Sequence, residues 1–432
     1  MLNSAPVSSR RIAILNANWR VQSSICYMAS CLEKEGYYVD IFLYAADESF
    51  CDDLLKDSVM IKIHRLGGAT PIDSGMSYEQ CNATTKKVWH LARMFLPAWS
   101  RRGILDALKY LLIKLFPKSG LVPRAMQRKV IAMARQNPYS ALIGVEKGGL
   151  FWAGEVAKQT NIPLVYYSLE LFTRSHAATK FDARFRRLKP LEERNHRKCA
   201  LTIVQDVERG AILLSDNRVR RPMRMAYLPV SIAGGVSSDK SQWLQNELGL
   251  APETVIILYF GHIWESRFCG KLAEAAQLFP ENWRLVFHGR GIPLEITKIR
   301  QIDRLKKTRM SLRLVPDRER EAVVRSAHVG LAFYDNNSLN DKLTGFASEK
   351  IAMYFKCGIP LISFRYPSYE HIEYEKAGVL VDHIEEISAA VEKILSDYDS
   401  YAQGAYACYK KHYCFETNFS RVLTNLRAIQ QT

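Results

Sequence analysis

The chain has 432 residues, with 60 lysines and arginines against 44 acids, a formal charge of +16 and a 48% hydrophobic content. That length is too great for one ordinary core and fits two domains, and the mixed composition excludes a disordered or fibrous chain. The longest apolar run, ILDALKYLLIKLF, is broken by Lys109 and Lys114 and falls short of the roughly 20 apolar residues a spanning helix needs, so no transmembrane helix is expected.

The opening MLNSAPVSSRR has no apolar stretch of the secretory kind, and a cytoplasmic location is expected. RIAILNANW then reads as a strand ending in polar loop residues, followed by a helical stretch to Glu35 and the strand YYVDIFLY, a βαβ beginning. Asn16 and Asn18 close the first strand, where a ligand on either side of a reaction could meet them; polar residues are also commonplace in such loops. IKIHRL is a further strand.

From 86 to 135 the chain carries twelve Lys/Arg against the single acid Asp106, with Ile104, Leu108, Leu111, Leu112 and Leu115 at helical spacing. Two readings stay open: an amphipathic element on an anionic membrane surface, or a helix whose apolar stripe enters the core. Nucleic acid is not expected, because no nucleic-acid-binding motif accompanies the charge.

ALIGV, a helix through Ala157, IPLVYYS and LTIVQ continue the alternation, which implies a parallel sheet with ligands at the carboxyl ends of its strands. Glu146 and Lys147 follow one of these strands and Glu170 another, placing all three on a rim. SIAGGVSSDKSQ is small and polar, as a linker is, and sets a domain boundary near 230. The second half repeats the pattern: TVIILYFG, a helix through Leu278, WRLVFHG, a helix from about Glu295 to Lys306, MSLRLV, a helix to Ala327, and VGLAFY. A Gly/Ser/Asn-rich loop, the helix SEKIAMYFKCG and the strands IPLISF and GVLVD complete it. The reading is thus α/β, with two doubly wound Rossmann-like domains: 1–230, 231–405, and a helical tail 406–432 packing back on the first. The nine cysteines are scattered and never form a CxxC pair, so reduced thiols and no zinc site are expected.

The run from TVIILYFGHIWESR through SEKIAMYFKCGIPLI to GVLVD resembles the donor domain of GT-B glycosyltransferases, especially family four, and the resemblance extends over essentially the whole chain. It implies two domains facing across a cleft, a nucleotide-sugar donor bound by the second, an acceptor bound by the first, and no bound metal. Residues matching the donor side are Gly261, His262, His288, Gly289, Gly345, Phe346, Ala347, Ser348, Glu349 and Met353. Family-four enzymes meet the leaving diphosphate with an arginine and a lysine after the first donor-domain strand; here those positions hold His262 and Arg267. Lys350, in the first turn of a helix that Ser348 is placed to cap, is a second candidate cation. The alternative is an ordinary capped helix with a surface lysine. Two family glutamates are absent, their positions being Gly345 and Met353, and Glu349 lies one turn away from the second.

Glu170 could serve as general base or orient an acceptor, or simply pair with Arg174 or another nearby cation. The resemblance further implies a saccharide or lipid-linked acceptor, in cell-surface polysaccharide or glycolipid synthesis, at the inner face of a membrane. Two other functions remain open: a membrane-docked scaffold that has lost catalysis, and a sugar-nucleotide epimerase, which shares the architecture. A dinucleotide oxidoreductase is disfavoured, since LNANWR stands where a GxGxxG turn is needed.

Overall fold

A computed structural model describes residues 10–17, 21–44, 54–66, 124–175 and 183–430. The chain divides into two compact units, one of residues 1–227 with 419–432 and the other of residues 228–418.

The first unit is built on a seven-stranded parallel sheet: β1 (Arg11–Asn16), β2 (Tyr38–Leu43), β3 (Ile61–Arg65), β4 (Ala141–Val145), β5 (Leu164–Tyr167), β6 (Leu201–Val204) and β7 (Arg224–Tyr227). Their order is β3-β2-β1-β4-β5-β6-β7, so the winding direction reverses between β1 and β4. ALIGV and LVYY are buried throughout, as strands covered on both faces must be, and hence read as unbroken apolar runs. Asp40 on β2 is fully buried and accepts from Arg11 Nε (2.6 Å) and Tyr139 Oη (2.9 Å), with His64 Nε2 at 2.7 Å. Burial alone would push its carboxyl up, but His64, Arg11 and Tyr139 outweigh that and hold it down at about 2.

Of the basic stretch, only its end lies within the described residues, as helix Arg124–Gln136. Met126, Val130, Ile131 and Ala134 are buried there while Arg128, Lys129 and Arg135 are exposed, so this piece is a core-facing helix with a solvated basic side. Residues 67–123, and with them the rest of the membrane reading, are outside the described residues. No helix among the described residues is long and apolar enough to cross a membrane.

The second unit holds a six-stranded parallel sheet: β8 (Val255–Phe260), β9 (Trp283–His288), β10 (Thr308–Ser311), β11 (Val329–Leu331), β12 (Leu361–Phe364) and β13 (Gly378–Val381). The order β10-β9-β8-β11-β12-β13 reverses between β8 and β11. Ile257, Tyr259, Leu285, Phe287, Val329, Leu331 and Ile362 form the sheet side of one core, against Leu272, Ala276, Ile299, Val391 and Ile394 from the helices. Where MSLRLV was expected as a strand to 315, β10 ends at Ser311, and Leu312 and Leu314 are exposed. The expectation missed β7 as a strand, because its RMAY alternation is short and half polar.

Helix Tyr398–Cys408 belongs to the second unit, whereas helix Phe415–Gln430 joins the first from Phe419 onward. Gln430 donates to Ser140 Oγ (3.0 Å) and accepts from Tyr37 Oη (3.2 Å), and Arg427 pairs with Glu35 (2.7 Å).

Candidate functional site

The reversal point of a doubly wound sheet leaves a crevice at the carboxyl ends of its strands, because the helices on either side diverge there. In the second unit that crevice lies over β8 and β11, and the chain leaving β8 turns at Gly261. Gly261 and Gly289 have φ of 139° and 137°, and a Cβ on Gly289 would overlap the Gly261 carbonyl oxygen. Both turns therefore require glycine, and they lock together through Gly261 N–H to His288 O (2.9 Å).

Lys350 stands directly before Gly261. Its Nζ lies 4.3 Å from the ring centre of Tyr259 and 5.4 Å from that of Tyr334, and Arg267 sits over the same Tyr334 ring at 4.6 Å. No carboxylate pairs with Lys350 among the described residues. Burial, reinforced by the charge of Arg267, pushes the Lys350 ammonium down to about 7. Arg267 is half-buried at the end of the turn Glu265–Arg267 and donates to Asp341 Oδ1 (2.8 Å). It is therefore not a freely solvated arginine. Tyr259, Tyr334 and Asp341 were missed from the sequence; Tyr334 ends a legible strand, but nothing local marks Asp341.

Ser348 occupies the position before helix Glu349–Lys356, as expected, but does not cap it. Its hydroxyl instead bonds Tyr334 Oη (2.6 Å), and the Ser348 side chain accepts from none of the first-turn N–H groups. An uncapped helix start beside a lysine favours an anion more than a capped one does. Glu349 is committed to Arg320, which also holds Asp317 (3.2 Å) and lies over Phe260. Met353 is 2% exposed and packs into the core, so its side chain does not line the crevice.

Gly345 is explained by close packing: a Cβ there would overlap the Ser368 carbonyl oxygen. Phe346 stacks on His371 (centroids 4.5 Å) and its carbonyl accepts from Val230 N–H (2.9 Å), while Ala347 N–H bonds Thr344 O (2.9 Å). His262 is exposed against Trp264 (5.1 Å). His288 differs: its side chain is buried, stacked on Phe260 and 3.0 Å from Ser311 Oγ. Burial, with Arg313 and Arg320, depresses it to about 4, so it is a neutral packing residue.

In the first unit the reversal point is flanked by Asn16, buried and bonded to Gln22 (3.0 Å), and by Glu146. Asn18 lies outside the described residues. Glu146 adopts φ 57° at the start of helix Glu146–Thr160, and its buried carboxylate accepts from Leu169 N–H (2.6 Å) and Glu170 N–H (2.8 Å). The carbonyls of that loop are held as firmly. Gln205 donates to Ser168 O (2.6 Å), Arg209 to Leu169 O (3.1 Å) and Lys189 to Phe172 O. Lys189 in turn bonds Glu192 and Asn217, and Lys147 lies over the Phe172 ring. Buried ionic groups so placed fix a loop in one shape, and the loop presents Glu170 to solvent. Arg174, the nearest expected partner of Glu170, pairs with Glu193 (2.7 Å).

No family model matches the chain, and no curated protein matches it by sequence. Solved structures do. The chain is similar to Anabaena HepE in complex with UDP-glucose, at 12% identity and TM-score 0.65 over 97% of this chain and 99% of that one. It is similar to the sucrose-phosphate synthase of Thermosynechococcus elongatus, at 15% identity and TM-score 0.63 over 97% and 99%. A third is WaaG, a glycosyltransferase involved in lipopolysaccharide biosynthesis, at 12% identity and TM-score 0.59 over 96% and 99%. The fold is GT-B. At these identities the likeness carries the GT-B architecture and not an activity, which has to be argued from the two crevices.

Proposed function

We propose that the chain is a glycosyltransferase that moves a sugar from a nucleotide-diphosphate donor bound by the second unit to a saccharide or lipid-linked acceptor bound by the first. The observation that carries this is the pair Lys350 and Arg267, two cations over one tyrosine ring near the carboxyl end of β8, beside a helix start that Ser348 does not cap. Departure of a nucleoside diphosphate builds negative charge on phosphate oxygens, and fixed cations with open N–H groups stabilise that charge most where water is excluded. Three groups have defined parts in this reading: Lys350 and Arg267 hold the diphosphate, and Glu170 orients the acceptor hydroxyl or takes its proton. The UDP and UDP-glucose bound by HepE support a nucleotide-sugar donor, and the involvement of WaaG in lipopolysaccharide biosynthesis supports polysaccharide or glycolipid synthesis. The unabsorbed basic stretch 86–123 supports a location at the inner face of a membrane.

A second reading, a binding or scaffold protein without catalysis, is favoured by Gly345 and Met353 standing where the resemblance expects glutamates. An epimerase would share the donor site. A screen of nucleotide sugars by thermal shift, followed by assay of the responding donor for transfer, hydrolysis and epimerisation, separates the three. Arg267→Ala/Lys350→Ala is expected to abolish the donor-dependent shift; a folded double variant that still responds and turns over as before removes the site proposed here.

A further inference from the structure

At the amino ends of the first unit's strands, the end opposite that unit's crevice, the loops entering β6 and β7 bring four arginines together. Arg197 follows helix Ala183–His196, and Arg218, Arg220 and Arg221 follow helix Val207–Asp216; together they line a depression of about 450 Å³. All four are exposed, and none has an acidic partner among the described residues. Arginines elsewhere in the molecule are commonly paired, as Arg11, Arg174, Arg267, Arg320, Arg365 and Arg427 are.

A structural role explains only one of the four. Arg221 donates through Nε to Arg197 O (2.9 Å) and through Nη2 to Cys199 O, closing the end of a helix whose last carbonyls lack intrahelical partners. The guanidinium groups of Arg197, Arg218 and Arg220 have no hydrogen-bond acceptor among the described residues. Convergence of unpaired cations in a concavity is unfavourable by mutual repulsion, and a bound anion reverses the sign of that term. Planar guanidinium forks match the oxygens of phosphate in particular.

We infer that this pocket is a binding site for a multiply charged phosphate group, separate from the donor crevice and independent of the activity assigned to it. The phosphate is supplied either by lipid headgroups at a membrane surface or by a free phosphate compound. Two arms distinguish these sources, both with the full chain at about 0.15 M salt, where charges more than about 8 Å apart are screened. One arm is co-sedimentation with vesicles of phosphatidylglycerol and phosphatidylcholine against phosphatidylcholine alone. The other is calorimetric titration with inorganic pyrophosphate. Arg218→Gln/Arg220→Gln is expected to weaken binding about twenty-five-fold, at roughly fivefold for each cation removed from a phosphate surface. A loss confined to vesicles assigns the pocket to lipid, and a loss of pyrophosphate binding assigns it to a free phosphate compound. Arg218→Lys/Arg220→Lys, which keeps the charge but not the fork, should fall between. Variants that bind both probes as the unaltered chain does overturn the inference.

Discussion

At the scale of single residues, Lys350 shows how a tertiary setting changes what a side chain can do. In sequence it is one lysine among many in a first helical turn. In the fold it is enclosed by Tyr259 and Tyr334 beside Arg267, and burial with that neighbouring charge lowers its ammonium to about 7. A diphosphate would favour the charged form and raise that value, so donor binding takes up a proton when the pH is above about 7. Affinity is then full below about 7 and falls with rising pH, by about tenfold per unit until the bound-state value is reached. The expected outcome is a dissociation constant for a responding nucleotide sugar, measured by calorimetry from pH 6 to 9, that climbs above about 7. Lys350→Gln should flatten the profile, and a steep profile surviving in that variant would move the titration elsewhere. His288 makes the opposite point: its sequence position resembles a donor contact, yet its ring is buried between Phe260 and Ser311.

Among elements, the loop after β5 repays comparison with the helix that follows β11. The loop is rigid because Glu146, Gln205, Arg209 and Lys189, from four different places in the sequence, satisfy its peptide groups. Lys189 is buried against Glu192, itself fully buried and raised by desolvation despite Lys189, Tyr166 and Asn217. Lys189→Met would leave that carboxylate uncompensated. The expected loss is about 3 kcal/mol of stability in chemical denaturation, most of it restored in Glu192→Gln/Lys189→Met. A Lys189→Met protein as stable as the parent would mean the pair contributes nothing. Helix Glu349–Lys356, by contrast, is legible as a helix from SEKIAMYFKCG, but its capping is not. Ser348 has the right type at the right place and turns instead to Tyr334, three residues past β11, a contact invisible along the chain.

For the whole molecule, acid sensitivity follows from histidines buried without charge. His196 and His371 are held at about 3, and His288 and His328 at about 4, in each case chiefly by burial. Unfolded, each would take up a proton near pH 6.5; folded, each resists until far lower pH. Their contribution is therefore present above about 6.5 and lost as pH falls, by up to about 2 kcal/mol for each at pH 5. Asp40 adds a further loss of about 2 kcal/mol between pH 4 and 2. Denaturation midpoints at pH 7.5, 6 and 5 are expected to fall in that order, before most carboxylates titrate. A midpoint constant down to pH 5 would show that these side chains are not buried neutral.

What the sequence by itself determined was the alternation of apolar strands and amphipathic helices. Twelve of the thirteen strands among the described residues fall in runs read from the sequence, most of them apolar like VIILYF and ALIGV, because a strand covered on both faces must be apolar along its length and that requirement is local. The turn positions of Gly261 and Glu170 after their strands were readable for the same reason, and Lys350 was readable as part of the first turn of SEKIAMYFKCG. Only the tertiary structure decided which groups meet. The strand order that reverses beside β8 and β1, the aromatic ring shared by Lys350 and Arg267, and the ionic cradle beneath Glu170 all join residues distant in the chain. Such contacts depend on where helices and strands pack, and no spacing along a single sequence records that.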